Sequence, residues 1–244
     1  MQLPARMRLQ RFIALSSEIS RRAAEAAIAR GEASVNGEVV TKPGTLVDTG
    51  RDRVELRGAA LVLKAERTYL AYFKPHNTIV TKTDPQGRPT IWDGLADWKG
   101  KLNSVGRLDF DSEGIIILTD DGDFINLLTH PRHEIWKVYR VRVKGEPTHE
   151  ALKSLKEGVK LKDGMTLPAK VRRIDKGGPN ALIEISIREG RNRQVRRMCE
   201  AIGHPVIRLR RIAIGPVKVG RLTPGRWRHL RPTEVSSLVG QARA

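Results

Sequence analysis

Only one cysteine, Cys199, occurs in the 244 residues. That excludes an internal disulfide framework and any cysteine-based zinc site, and fits a reducing compartment. Long apolar runs are missing too. The longest unbroken run of Val, Ile and Leu is Ile115 to Leu118, far short of the ~20 residues that cross a bilayer. The N-terminal MQLPARMRLQ has no apolar core of the kind a signal peptide carries, so a soluble, unexported, cytoplasmic protein without membrane association is expected. Neither GxxxxGK followed by Ser or Thr nor GxGxxG occurs, which leaves nucleoside-triphosphate and nicotinamide chemistry without support. Disorder is excluded as well. Hydrophobic residues make up 39% and glycine adds 22 positions, an ordinary globular composition on a chain long enough for a large domain plus a small one.

Acidic residues are scarce where basic ones gather. The chain carries 45 Lys and Arg against 27 Asp and Glu, a formal charge of +18, and such an excess points to a polyanion, nucleic acid before membrane. Residues 191–244 alone hold 13 basic and 2 acidic residues, +11 of the total. This segment is rich in arginine and interleaved with Val, Ile and Leu, the signature of a folded basic surface rather than a low-complexity tail.

Leu9, Phe12 and Ile13 fall on one helix face, with Arg8 and Arg11 elsewhere on the same turns. Ser20, the alanine-rich RRAAEAAIAR and Gly31 then give cap, body and stop of a second helix. Asn36-Gly37 between alternating valines signals a tight type I′ hairpin. Arginines at a helix N-terminus oppose the macrodipole, and phosphate contact by Arg21 and Arg22 would justify them. This order of helices and hairpin, over about 50 residues, resembles the small RNA-binding S4 module; a glycine usual near Ser16 or Ser17 is missing. Residues 6–57 are expected to form this module, 58–67 a connector and 68–241 a second domain. There, YLAYF, TIV, IIILT, KVYRVRV and ALIEISI read as strands, with short strands around VIRLRRIAIG. GDFINLLTH, HEALKSLKEG and NRQVRRMCEAIG read as helices, and GGPN as a hairpin turn. Strands outnumber helices and follow hairpin-like links, so an α+β fold on a mixed, mainly antiparallel sheet is expected.

Candidate chemistry clusters in VGRLDFDSEGIIILTDDGDFINLLTHP. Arg107 and Asp109 sit in a loop between Gly106 and Gly114 before a buried-looking strand, a place where reactive groups are commonly presented. The tetrapeptide alone reads more readily as a turn with a surface ion pair. Asp120, Asp121 and Asp123 miss the calcium-loop template and read as a turn plus helix cap. His130 and His133 lack a third ligand and read as loop or packing residues, so no metal site is expected. Alternation puts Tyr139 with Val141 and Val143 on the apolar face of its strand. Arg188, Arg191, Arg193, Arg196 and Arg197 crowd a turn into a helix; such guanidinium groups need anions, either phosphates or a carboxylate such as Asp109.

Taken in order, GRLDFDSEGIIILTDDG, HPRHEIWKVYRVRVKG and EGRNRQVRRM resemble the pseudouridine synthases of the RsuA/RluB type, nearest the RluB branch in THPRHEIWKVY, DGMTLPAKV and GRNRQVRRM. The resemblance covers nearly the whole chain. It implies site-specific isomerisation of uridine in 23S ribosomal RNA or a large-subunit assembly intermediate, by a monomer that needs no cofactor. It further implies Asp109 as nucleophile, Arg196 as its cationic partner, Tyr139 stacked on the target ring, and Arg107 holding open the space left by the extruded uridine. RNA contacts are implied for Arg8, Arg11, Arg21, Arg22 and Asn36 in the S4-like module and for Arg191, Arg193 and Arg197. An aspartate is ionised at pH 7 without help, since its ordinary pKa is ~3.9. Two rivals remain: a ribosomal-RNA-binding or assembly protein without the reaction, and a sister synthase acting on small-subunit ribosomal RNA or tRNA. The expectation that separates the enzyme from a mere binder is an Asp109 carboxylate deep in a cleft, close to Tyr139 and Arg196.

Overall fold

The computed structural model describes residues 4–63, 66–175 and 178–243. The chain divides into two units, 1–67 and 68–244.

In the first unit, β1 (Arg6–Arg8) leads into α1 (Leu9–Ser16) and α2 (Arg21–Ala29). Short strands follow: β2 (Ala33–Val35), β3 (Glu38–Val39), β4 (Leu46–Asp48), β5 (Val54–Leu56) and β6 (Ala59–Ala60). The helix signals in the sequence act as expected. The Ser20 side chain accepts a hydrogen bond from the Ala23 N–H, supplying an acceptor to an otherwise orphan donor. Asn36 and Gly37 both take positive φ, +54° and +87°, the pair of left-handed residues a type I′ hairpin requires. Leu9, Phe12, Ile13, Ala24 and Ile28 meet Met7, Ala33, Val47 and Val54 in one small core. Within the expected connector, Ala59–Ala60 pairs with β5, and Leu61 and Leu63 pack on this core. Residues 64 and 65 lie outside the described residues.

The second unit begins with β7 (Tyr69–Lys74), β8 (Asn103–Ser104), β9 (Ser112–Thr119), α3 (Gly122–Thr129) and β10 (Lys137–Val143). Next come α4 (His149–Glu157), the two-residue strands β11 (Lys160–Leu161) and β12 (Gly164–Met165), β13 (Lys170–Arg173) and β14 (Leu182–Ile187). It closes with α5 (Gln194–Ala201), β15 (Val206–Ile214), β16 (Val217–Lys218), β17 (Trp227–His229) and α6 (Pro232–Arg243). The main sheet runs β13-β14-β10-β15-β9-β7-β17, with β8 paired to β9 and β16 to β15. All its pairings are antiparallel except β9 with β15. The α+β fold on a mixed, mainly antiparallel sheet is thus the one expected.

Strand β9 is buried along its whole length, which explains why it reads as an uninterrupted apolar run rather than an alternation. Its side chains serve two cores by the two-residue period of a strand. Ile115 and Ile117 pack with Phe124, Leu128 and Leu238 of α3 and α6, while Ile116 and Leu118 pack with Trp92, Ile91 and Leu102. Each such side chain, wholly removed from water, contributes about 1.5–3 kcal/mol. A third cluster joins Val141, Val143, Ile183 and Ile185 of β10 and β14 to Leu155 of α4 and Met198 and Cys199 of α5.

Several local expectations need correction. TIV is not a strand: Ile79 makes a single bridge to Thr90, since the surrounding turns leave no room for a ladder. VIRLRRIAIG is one nine-residue strand rather than several short ones, bent by irregularities against β10 at Val138/Tyr139 and Arg142/Val143. Gly114 lies inside β9, not before it. The GGPN turn falls partly outside the described residues, at 176–177.

Candidate active site

A cavity of about 780 Å³ opens in the second unit, within the ~300–1,000 Å³ of small-ligand sites. One wall is sheet: Lys137 and Tyr139 from β10, with Leu209, Arg211 and Ile214 from β15. Arg107, Leu108 and Asp109 come from the loop before β9, Arg188 to Arg193 from the link between β14 and α5, and Gln194 and Val195 from the start of α5.

Asp109 begins a turn closed by the Ser112 N–H donating to its carbonyl at 3.1 Å. The side chain lines the cavity and is 34% exposed, so it sits at the wall with partial access to solvent rather than fully enclosed. The turn is fixed from beneath by Lys74. That side chain is wholly buried, and its ammonium donates to the carbonyls of Ser112 at 2.6 Å, Pro75 at 2.9 Å and Phe110 at 3.5 Å. Burial pushes the Lys74 ammonium down to about 8, against the pull of Asp109, Asp111 and Glu113. A buried cation spread over three carbonyls next to three carboxylates holds the turn in one conformation.

Two arginines act on Asp109: Arg193 lies within ion-pair range, and Arg196, the expected partner, interacts with it electrostatically from farther off. The nearest paired cation is Arg193, whose Nη1 lies 3.7 Å from Asp109 Oδ2. Arg193 also pairs with Asp111, Nη2 to Oδ2 at 3.1 Å, so it spans both carboxylates. Arg196 instead holds Asp111, with Nη2 donating to the Asp111 carbonyl at 2.7 Å and lying 3.2 Å from its Oδ1. Burial pushes the Asp111 carboxyl up, but Arg193 and Arg196 outweigh it and leave it below the ordinary aspartate range. Arg193 precedes α5 with a left-handed φ of +46°. A side chain this size in that region carries strain, a feature that clusters at functional sites.

Tyr139 is 8% exposed, lines the cavity, and stands opposite Arg211 in the β10·β15 register. It therefore belongs both to the apolar face of its strand and to the cavity wall. Arg107 is exposed at the cavity. The other basic candidates divide. Arg191 donates to the carbonyls of Asp163, Gly164 and Met165 and pairs with Glu189. Arg197 pairs with Asp163 through both terminal nitrogens, at 2.9 and 3.0 Å. Arg197 thus ties α5, and Arg191 the link before it, to the β11–β12 turn. In the first unit Arg8, Arg21 and Arg22 are exposed and Arg11 is half-buried. Asn36 donates to Asp52 and accepts from the Arg53 N–H, locking its hairpin.

The turn-and-cap reading of the aspartates holds. Asp121 caps α3 by accepting from the Asp123 and Phe124 N–H groups, and Asp120 accepts from the Thr68 N–H. His130 and His133 flank a single turn of 3₁₀ helix at Pro131–His133. No cluster of metal-ligating side chains occurs among the described residues. Cys199 is buried and its thiol is pushed up to about 12, which leaves it without thiolate reactivity.

Reasoning from sequence missed Lys74, Lys137 and Arg211, because cations within strands read as solvent-facing. The available signal was a lysine closing the apolar run YLAYF directly before proline, and KVY and LRR placing charge beside buried positions.

The model of the RNA pseudouridylate synthase family matches residues 68–201, and the S4 domain model matches residues 7–53. The chain belongs to the RNA pseudouridylate synthase family. It is an isomerase with an N-terminal S4 domain, as the motifs implied. The synthase is 42% identical to ribosomal large subunit pseudouridine synthase B of Bacillus subtilis, over 95% of each chain. It is 40% identical to an RNA pseudouridine synthase of Aquifex aeolicus, over 95% of this chain and 93% of that one. A crystal structure of a pseudouridylate synthase superposes with a TM-score of 0.69 at 32% identity, covering 96% of this chain and 100% of the other. No helix among the described residues of the synthase is long and apolar enough to cross a membrane.

Proposed function

We propose that this synthase converts uridine to pseudouridine in large-subunit ribosomal RNA, with Asp109 as the nucleophile. The observation that carries the reading is the Asp109 carboxylate on the wall of a cavity shared with Tyr139 and edged by Arg107 and Arg193. A binding protein gains nothing from a carboxylate facing an anionic ligand. The large-subunit target is supported by the likeness to the Bacillus subtilis synthase B.

Asp109 attacks ribose C1′ or uracil C6, the base detaches and turns, and it rejoins the ribose through C5. The C5 proton leaves and N1 gains one, so the product is an isomer and no redox equivalent or metal is consumed. Tyr139 stacks on the ring in the cavity. Arg107 occupies the space the uridine vacates. Extruding a nucleotide costs a few kcal/mol, least at an unpaired site, so a loop or bulge is the target. Phosphate contacts offset that cost: Arg8, Arg21 and Arg22 on the S4 unit and the arginine-rich C-terminal segment supply the charge. Arg193 serves the carboxylates and Arg191 and Arg197 serve the fold, so their part in RNA binding is to shape the surface beside the cavity. The S4 unit anchors the RNA and the domain from residue 68 carries out the reaction, as a monomer in the cytoplasm.

Mapping pseudouridines in ribosomal RNA from cells lacking the protein tests the assignment. Loss of one or more large-subunit sites, restored by re-expression, is the expected result. Loss confined to small-subunit RNA overturns the target, and an unchanged map overturns the activity.

A further inference from the structure

Lys137 and Tyr139 lie two residues apart on β10 and so project to the same face of the sheet. Arg211 stands opposite Tyr139 on β15, and all three line the cavity. Arg211 is 5% exposed. Its Nε donates to the Ile115 carbonyl at 2.8 Å, and its Nη2 is buried with no acceptor. Lys137 is half-buried, and among the described residues no carboxylate pairs with it. Three other cations around the cavity are engaged, Arg188 with Glu134, Arg191 with Glu189 and Arg193 with Asp111, and Arg107 is exposed at its edge rather than buried in its wall. Burial and then the Arg211 charge push the Lys137 ammonium down to about 8, so it remains mostly protonated at neutral pH while lacking compensation. Two adjacent cations, one nearly buried, without a counter-ion, are an anion site awaiting its charge.

We propose that Lys137, backed by Arg211, receives the negative charge that develops on the uracil ring when the base is detached. This rests on the uridine-isomerising reading above. Along the C1′ route, the bond from Asp109 Oδ to C1′ forms as C1′–N1 breaks. The electron pair stays on N1 and spreads to O2 and O4. Along the C6 route, the Oδ–C6 bond forms and the C5–C6 π pair moves through C4 onto O4. Either way a ring oxygen bears the charge next to the stacking tyrosine. On the C1′ route the pair returns through C5, whose new bond to C1′ expels the Asp109 carboxylate; on the C6 route C1′–N1 breaks as N1 takes a proton, the enolate C5 bonds to C1′, and loss of the C5 proton expels the carboxylate from C6. Lys137 forms no covalent bond and transfers no proton; its contribution is a fixed charge in a site that excludes water, where such a charge acts most strongly. The ring is the occupant rather than a phosphate, because phosphates follow the exposed arginines at the cavity edge and only the base enters among desolvated groups.

The test is tritium release from uridine-labelled ribosomal RNA by Lys137→Met, with kcat and KM determined separately. Losing one preorganised donor of this kind lowers kcat by about 10²-fold, with KM and RNA affinity nearly unchanged. Lys137→Arg, which keeps the charge, stays within about tenfold of wild type. Lys137→Gln replaces the methionine variant if the latter melts early. A kcat within about threefold of wild type, a rise confined to KM, or an arginine variant no better than methionine overturns the proposal. Absence of release by the wild-type protein itself, on RNA from cells lacking it, instead overturns the uridine reading on which the proposal stands.

Discussion

Replacing Gly114 by alanine strikes the junction between the active-site turn and the strand that backs the cavity. Gly114 has a φ of +113°, and a Cβ built on it overlaps the backbone carbonyl and nitrogen of Arg211. The φ alone costs about 1–3 kcal/mol for an L residue, and forcing a methyl group against unyielding backbone costs about 1–3 kcal/mol more. Relief comes only from parting β9 from β15, whose parallel register is Ser112 with Leu209, Glu113 with Arg210 and Gly114 with Arg211. Parting sacrifices ladder hydrogen bonds at about 1 kcal/mol each. The total, roughly 3–6 kcal/mol, is a large share of the ~5–15 kcal/mol that holds a domain folded, and lowers the melting point by on the order of 10 °C. Asp109 lies five positions upstream in the sequence and Arg211 is in the cavity wall, so a displacement of about 1 Å also lowers turnover by about 10²-fold. All four tryptophans fall in the second unit, so their fluorescence during thermal melting reports that unit alone. A melting point within about 2 °C of wild type, with single-turnover release within about threefold, would refute the reasoning.

Arg193→Gln removes the cation that spans Asp109 and Asp111 and lowers single-turnover release by about tenfold; a rate equal to wild type shows that Arg193 does not position the carboxylates. Glu234 is buried under a two-point pair with Arg228, both contacts at 2.8 Å, and these hydrogen bonds hold its carboxyl at about 2. Its folded pKa lies below the unfolded one, so its contribution is complete above about pH 5 and is lost as pH falls toward about 2. Urea midpoints across that range should fall less steeply for Glu234→Gln, and parallel slopes count against the pair. RNA affinity should fall linearly on a log–log plot against salt, with a slope near −0.7 to −0.9 per phosphate neutralised; a flat plot excludes the basic surface as the RNA contact.

Much of the fold was legible because its signals are local. Ser20 and Gly31 bound α2 by satisfying backbone groups within a turn of themselves, and Asn36-Gly37 fixes its hairpin by conformation alone. The alternation of β10 and β14 reports a face buried against one core. What escaped depends on distant partners. The pairing of β9 with β15 joins residues about 97 apart in sequence, and no local pattern announces it. The C-terminal helix α6 was not anticipated, since it is recognisable only through its packing on α3 and β9. The site divides in the same way. Arg107, Asp109 and Tyr139 sit in motifs that mark them, and the cavity gathers all three. Arg193 rather than Arg196 nearest Asp109 follows from the left-handed turn that starts α5. The roles of Lys74 and Arg211 follow from burial, which composition does not reveal.

The central claim concerns one carboxylate and is tested most directly by Asp109→Asn. The amide keeps the size of the side chain and one acceptor oxygen but is no nucleophile. Tritium release from uridine-labelled large-subunit RNA should be abolished, while RNA affinity and melting point stay close to wild type. Release within about tenfold of wild type would contradict the account and place the nucleophile elsewhere.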